Sequence, residues 1–509
     1  MLINFLKVAW RNIVRGKGFS LINISGLTIG MASAMLILLW VQNELSYDRD
    51  YVNSDRLYQA WNKGRNNQGI DCWNITPKPL GPDLKREYPE IEKATRVGWD
   101  ETILFTVGDK KINIKGTMAD PDFLTMFRFP FLQGDINTAI DRPNDIVLTQ
   151  RAAKTLFGDG DAIGKNVRLD NKYDMRVSGV LKDLPGNTAF DFDFVLPWSY
   201  MRWTNQDDSD WDKNSTHNYV LLKPNTDIAG LNKRVAKVYH GHLSDSVTQV
   251  FLYPVSKLHL HGSFDNGVPN GGKMQAVRVF TLIAVLILLI ACINFMNMST
   301  ARSEKRAKEV GIRKVSGALR SSLVGQFLGE SILLAAMSGA LALVVMQLCL
   351  PVFNDLTQKQ LSVGFGNIYF WFFFLGFIFF TGVVAGSYPA FFLSAFRPAA
   401  VLKGQFKKAH ALVTPRKALV VLQFTFAIIL IICTIIIERQ VKYAEARETG
   451  YDKSQLISTF LAGDINKNYD VIRHELLSKG IAVPREQDQR SADRHLEYRR
   501  SSLDREIRR

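Results

Sequence analysis

Five stretches of this chain are each apolar for about 20 residues or more, and no other feature restricts its folding as much. Inside a bilayer every backbone N–H and C=O must be bonded internally, so each stretch has to be a helix. The expected spans are 19–42, 276–300, 323–352, 368–393 and 418–437, with Pro351 closing the third. The basic segment before the first span looks like the start of a signal peptide. The apolar stretch is too long for one, and no small-x-small cleavage site precedes the polar block, so it reads as a retained anchor. Gly26, Gly30, Ala32 and Ala34 in that span either let another helix approach closely or are small by chance. The five central cores hold no charged residue, and Glu330 lies near the start of the third span. An ion or proton path at depth needs ionisable groups, which disfavours a proton-driven pump.

The net charge is +15, and its placement orients the spans. Residues 1–18 carry +4, 301–320 carry +5 and 394–420 carry +6, which is the whole excess. Residues 43–275 hold 29 basic and 31 acidic side chains. A nucleic-acid binder would show its basic residues on the face of a folded domain, so no nucleic-acid partner is expected. Short basic segments flanking apolar spans mark cytoplasmic loops. The expected topology has a cytoplasmic amphipathic segment at 1–18, an outer domain at 43–275, an inner loop at 301–321 and a short outer loop at 353–367. A second inner loop follows at 394–417, and 441–482 lie outside.

The outer block mixes period-two strands with short helical patterns, which predicts an inserted α+β domain. Strands are expected at 111–116, 145–149, 173–181, 218–223 and 249–253, and helices at 150–157 and near 79–88 and 228–239. Residues 158–165, GDGDAIGK, look like a phosphate loop but lack its glycine spacing and its Ser/Thr, so a nucleotide site is not expected. Asp207, Asp208, Asp210 and Asp212 lack the spacing of a calcium loop and read as a solvated cluster. His240/His242 and His259/His261 would share a face on a strand and could hold Zn²⁺, but no third ligand is identifiable and plain structure is the reading. Cys292, Cys349 and Cys433 lie in apolar spans and Cys72 stands alone, so neither a disulfide framework nor a metal site is expected. There is no GxSxG and no HExxH, and no catalytic residue, cofactor or metal is assigned.

The inner loop carries the mechanism. Glu304 precedes Lys308, and Glu309 precedes Arg313, by four residues, a spacing that supports a helix by about 0.2–0.5 kcal/mol per pair. Such a basic amphipathic helix is either a headgroup anchor or a docking element. Glu309-Val310-Gly311-Ile312-Arg313-Lys314-Val315-Ser316-Gly317-Ala318 resembles the E-(I/V)-G-(I/V)-R-K-x-x-G-A signature of FtsX-like, MacB-like ABC transporter permeases. The resemblance extends to Ala9-Trp10-Arg11-Asn12, Gly18–Asn23, Gly26–Gly30, Glu44–Asp48 and Asp55–Tyr58. It takes in Leu156-Phe157-Gly158 with Ile163-Gly164-Lys165, which accounts for the false phosphate loop, and Leu258–His261. Gly386–Ala390, Leu393-Ser394, Pro398 and Leu402-Lys403-Gly404 complete a likeness over about residues 1–480.

The resemblance implies a multi-pass protein of the bacterial inner membrane, with a cytoplasmic N-terminus and a MacB-like periplasmic core domain. It implies a permease subunit that couples a separate cytoplasmic P-loop ABC ATPase to periplasmic movement, for efflux or export of envelope molecules, and that is not itself an enzyme. Glu309, Gly311, Arg313, Lys314, Gly317 and Ala318 become the ATPase-coupling residues, their charges suiting a partner surface. The implied partners are that ATPase, membrane lipid, a second copy or a paired permease half, and a periplasmic adaptor or hydrolase. The alternative role is a membrane-anchored scaffold that regulates a periplasmic partner such as a cell-wall hydrolase. The family pattern has eight spans, whereas this chain has five and opens a second outer domain with Gly450-Tyr451-Asp452-Lys453. Residues 483–509 then hold eight Arg and no Lys, which points to a frameshifted or truncated reading frame; a short natural variant or a basic regulatory tail is the alternative.

Overall fold

A computed structural model describes residues 17–49, 51–67, 69–243, 247–301, 310–395, 413–447, 465 and 467–481. The expected 1–18 segment, most of the 394–417 loop and the Arg-rich tail therefore lie largely or wholly outside the described residues. The chain divides into two compact units, one of 1–45 with 276–451 and one of 46–275 with 452–509.

Among the described residues the first unit has five long helices: α1 (Lys17–Leu45), α2 (Gly272–Ala301), α3 (Arg320–Thr357), α4 (Ile368–Ser394) and α5 (Val413–Ala446). All five are long and apolar enough to cross a membrane. Leu27, Met31 and Ala34 of α1 meet Ala284, Leu288 and Ala291 of α2, Ala335 and Ala342 of α3, and Phe374, Ile378 and Ala385 of α4 in one core. Small residues make that core possible. A Cβ on Gly30 would lie 2.4 Å from Cβ of Ala291, and Ala32 and Ala34 are buried. The polar residues of α1 turn inward too: Ser20, Asn23 and Thr28 are buried, and the Thr28 hydroxyl donates to the Ser338 carbonyl at 3.3 Å. Phe372, Phe373, Leu375, Phe379 and Phe380 of α4 stay exposed, as a lipid-facing surface requires. α5 buries almost none of its span in this unit; Asn297 Nδ2 of α2 donates to Gln423 Oε1 at 3.3 Å.

Pro351 does not end the third helix. It lies inside α3 with its flank exposed, and the helix runs on to Thr357. Proline removes one N–H but leaves the following turns free to bond, which transmembrane helices tolerate. The stop is Gln358, left-handed at φ 52°, with the Asn354 side chain bonding both N–H and C=O of Leu361.

The second unit is the α+β domain. Its strands are β1 (Leu57–Asn66), β2 (Gly69–Trp73), β3 (Thr76–Pro77), β4 (Ile91–Val97), β5 (Glu101–Val107), β6 (Lys110–Ala119), β7 (Phe131–Gly134), β8 (Asp145–Thr149), β9 (Asn166–Leu169), β10 (Tyr173–Leu181), β11 (Phe194–Pro197), β12 (Asn214–Leu222) and β13 (Gln249–Pro254). β5, β9, β10, β8, β11 and β6 pair in that order, and β6 returns to β5, so six strands close a ring. Its core takes alternate residues from every strand, among them Phe105, Met118, Leu148, Leu169, Val177 and Phe194. β8–β10 and β6–β11 are parallel pairs. β4 branches from β6 at Val97↔Ala119 and leads into an antiparallel sheet β4-β12-β1-β13. The helices Leu80–Glu87 and Ile228–Val235 cover that sheet through Leu80, Leu84, Leu231 and Val235.

The expected strands 145–149 and 173–181 are β8 and β10, and the helix Gln150–Phe157 follows β8 with Thr149 as its cap. β12 starts four residues before the expected 218, because Asn214 and Thr216 pair with β3. The helix expected to reach 239 stops at Val235, and a 3₁₀ turn, Val238–Gly241, takes over.

Candidate functional site

Glu309, with Glu304 and Lys308, lies outside the described residues. Residues 310–315 are helical and Ile312, Arg313 and Lys314 accept from Ser316, Ala318 and Gly317 N–H groups. Gly317 then adopts φ +89° with open space where a Cβ would be, so conformation and not crowding calls for glycine. Ala318 and Leu319 complete the turn into α3.

This short helix is locked to the bundle from three directions. Val310 is 2% exposed and packs with Leu323 and Phe327 of α3 and Ala390 and Leu393 of α4. Arg313 Nη1 bonds Gln326 Oε1, and Gln326 Nε2 lies 3.5 Å from Glu330 Oε1; both acceptor residues are buried on α3. Lys314 Nζ donates to the Ser394 carbonyl at 2.6 Å. Ser394 ends α4, so an ammonium there meets both a free carbonyl and the negative end of the helix dipole. Arg320 Nε adds a 3.4 Å contact to the Ser394 hydroxyl. Gly311 is buried against the same surface.

The two cations expected to face a partner thus also bond within the chain. The outward surface is apolar: Ile312, Val315 and Leu319 are 59%, 66% and 73% exposed. Ile312 and Val315, three residues apart, share a face of the short helix, and Leu319 follows the Gly317 turn. Gln326, Glu330 and Ser394 were not among the residues expected here. Their polarity within apolar spans is the signal that could have found them.

In the outer unit the loop 158–165 and the aspartate cluster 207–212 are structural. Gly158 caps the helix Gln150–Phe157, its N–H bonding Lys154 O at 2.8 Å, and Lys165 Nζ sits 4.9 Å over the Phe157 ring. Asp207 contacts Arg96 and Arg202, Asp208 contacts Lys78, and Asp210 contacts Lys213, so this cluster is neutralised and not merely solvated. Arg96 also forms a two-point pair with Asp120 and lies 4.4 Å over the Trp198 ring. The histidine pairs do not lie on strands. His240 is in the 3₁₀ turn, and His259 and His261 are in the helix Val255–His261, where an i, i+2 spacing sends the rings apart. The hydrophobic spacing of these segments suits a helical turn as well as a strand. His259 stacks on Tyr47 at 3.5 Å.

Comparison with known proteins agrees with this layout. Residues 20–238 match the MacB-like periplasmic core domain, and residues 281–400 match the FtsX-like permease C-terminal region. The ABC transporter permease YknZ of Bacillus subtilis is 25% identical over 277 residues, 53% of this chain and 61% of that protein. The macrolide export ATP-binding/permease protein MacB of Salmonella choleraesuis is 24% identical over 360 residues, 66% of this chain and 51% of that protein. The chain therefore spans about half to three-fifths of the length of these relatives. A crystallised domain of a Porphyromonas gingivalis permease protein aligns with 40% of this chain and 92% of its own, at 22% identity and a TM-score of 0.36. A MacB-like periplasmic core followed by an FtsX-like region, in one chain with five membrane-length helices, places this protein in the FtsX/MacB-like family of ABC transporter permeases, with its large domain periplasmic.

Proposed function

We propose that the chain is the transmembrane permease subunit of an exporter or mechanotransmission ABC system, and that a separate cytoplasmic ATPase docks on residues 309–318. The single observation that carries this reading is the coupling helix itself. It is clamped to α3 through Val310 and Arg313 and to the end of α4 through Lys314, yet presents Ile312, Val315 and Leu319 outward. A force applied to this short helix reaches two membrane helices through side chains that are packed or hydrogen-bonded. The short basic segments flanking the spans support a cytoplasmic N-terminus and cytoplasmic loops at 301–321 and 394–417. Macrolide export is the named role of the Salmonella relative, and efflux or export of an envelope molecule is the corresponding role here.

The test is co-purification. Tagged chain extracted from its host's membranes is expected to bring down an ABC ATPase. The double variant Ile312→Asp, Val315→Asp should lose that partner while inserting in normal amounts, because both positions are exposed in this unit. Glu309→Lys with Arg313→Glu should weaken the same contact. Equal recovery of the ATPase with the Asp variant would remove the coupling assignment.

A further inference from the structure

We propose that Asp83, Glu87 and His242 form a binding site for a divalent transition-metal ion of the Zn²⁺ type on the periplasmic domain. The helix Leu80–Glu87 sets Asp83 and Glu87 four residues apart on one face. His242 follows the 3₁₀ turn Val238–Gly241 and points its Nε2 at Asp83 Oδ2, 3.0 Å away. One ligand atom from each of the three residues lies within 4.8 Å of the others. Ligands about 2.0–2.1 Å from a tetrahedral ion stand roughly 3.3 Å apart, so the trio closes around a metal with small side-chain shifts.

The site is held from beneath. Leu80 and Leu84 on the helix and Val238 and Tyr239 in the turn belong to one buried core, so both elements rest on the same sheet. The Asp83 side chain is only 8% exposed, and the His242 ring is stacked on Trp211 at 3.7 Å with 9° between planes. Rigid support of this kind is what a preorganised ligand set needs.

Arg86 is the competitor. Its Nη2 lies 2.6 Å from Asp83 Oδ1 and 3.3 Å from Glu87 Oε1, so one guanidinium spans both carboxylates. It approaches Asp83 from the oxygen that does not face His242, and its side chain is 65% exposed and free to swing into water. A metal would take the place of the hydrogen between His242 and Asp83 Oδ2 and displace the guanidinium from Glu87. Two carboxylates and an imidazole favour Zn²⁺ over Ca²⁺ or Mg²⁺, which require more oxygen ligands. Water completes the fourth position. The bound ion would tie the helix to the segment after the 3₁₀ turn.

The experiment is a Zn²⁺ titration of the full-length chain in detergent, without a polyhistidine tag and stripped of metal, against a chromogenic chelator. Expected is a Zn²⁺ site that His242→Ala and Glu87→Gln each weaken by at least about tenfold, as loss of one ligand should. Glu87 is exposed, so Glu87→Gln keeps the fold and isolates the ligand effect. Arg86→Ala should tighten binding severalfold, because the competing cation is gone. Co²⁺ should quench tryptophan emission, and Trp211→Phe should remove that quench. Absence of Zn²⁺ binding at about 100 µM, a concentration far above a functional constant, would overturn the proposal. So would binding that is unchanged in both His242→Ala and Glu87→Gln, which would place the ion on other side chains.

Discussion

His217 shows at the scale of one residue how burial sets chemistry. It sits on β12 with Nδ1 3.0 Å from the Asn74 carbonyl and Trp99 at 5.7 Å. Burial pushes its pKa below the ordinary 6.5, more than the Asn74 contact and the Asp100 charge raise it. The unfolded chain therefore binds the proton more readily than the folded one. The stability that neutral His217 contributes is complete above pH 6.5 and is lost as pH falls through its folded value. Thermal unfolding of the full-length chain, followed by tryptophan emission, should weaken from about pH 7 to about pH 5. His217→Gln should flatten part of that fall. An identical pH profile in the variant would show that another group is responsible. Asp48 is the acidic counterpart: burial raises its pKa against the opposing pull of the Ala189 N–H and the Thr188 hydroxyl. Neither shift was legible in the chain order, because the partners lie 143 and 141 positions away.

Helix α1 carries the argument at the scale of an element. The small residues Gly30, Ala32 and Ala34 are all buried, and Gly30 lets α2 come close enough for Ala291 to fill the space of a side chain. Carbon atoms in good contact stand about 3.5–4.0 Å apart, and the 2.4 Å a Cβ would have here forces the helices open. Gly30→Leu is expected to destabilise the bundle by about 1–3 kcal/mol, read as a lower midpoint of denaturation in mixed micelles. An unchanged midpoint would mean that the α1–α2 approach contributes nothing. The element scale also explains where pattern reading ended. Apolar runs marked all five helices, and β8, its following helix and β10 fell at the expected residues. The end of α3 did not, because Asn354 and Gln358 stop the helix by bonding and a left-handed residue, while proline is the louder symbol in the sequence. Residues 309–318 were legible as a motif, but the contacts of Arg313 and Lys314 were not: their acceptors are Gln326 and a carbonyl 80 residues away.

At the scale of the whole molecule, each unit has its own cores. Among the described residues the outer one holds three apolar clusters built from residues between Tyr51 and Leu258. Residues 46–275 expressed alone should therefore give a soluble protein with cooperative unfolding, and an aggregating or molten product would show that the helices are needed to complete it. The five helices of membrane length and the division into an apolar and a near-neutral part were already legible in the composition along the chain. Those properties come from local transfer free energies and from charge next to apolar runs, which need no long-range contact. The closed ring of six strands depended on folding: β11 must reach both β8 and β6, and pairing across such separations leaves no periodic trace. So did the grip of the helix at 310–315 on α3 and α4, and the meeting of Asp83 and Glu87 with His242 from a segment more than 150 residues later. A local pattern says which face of an element avoids water, whereas only packing decides which other face it meets.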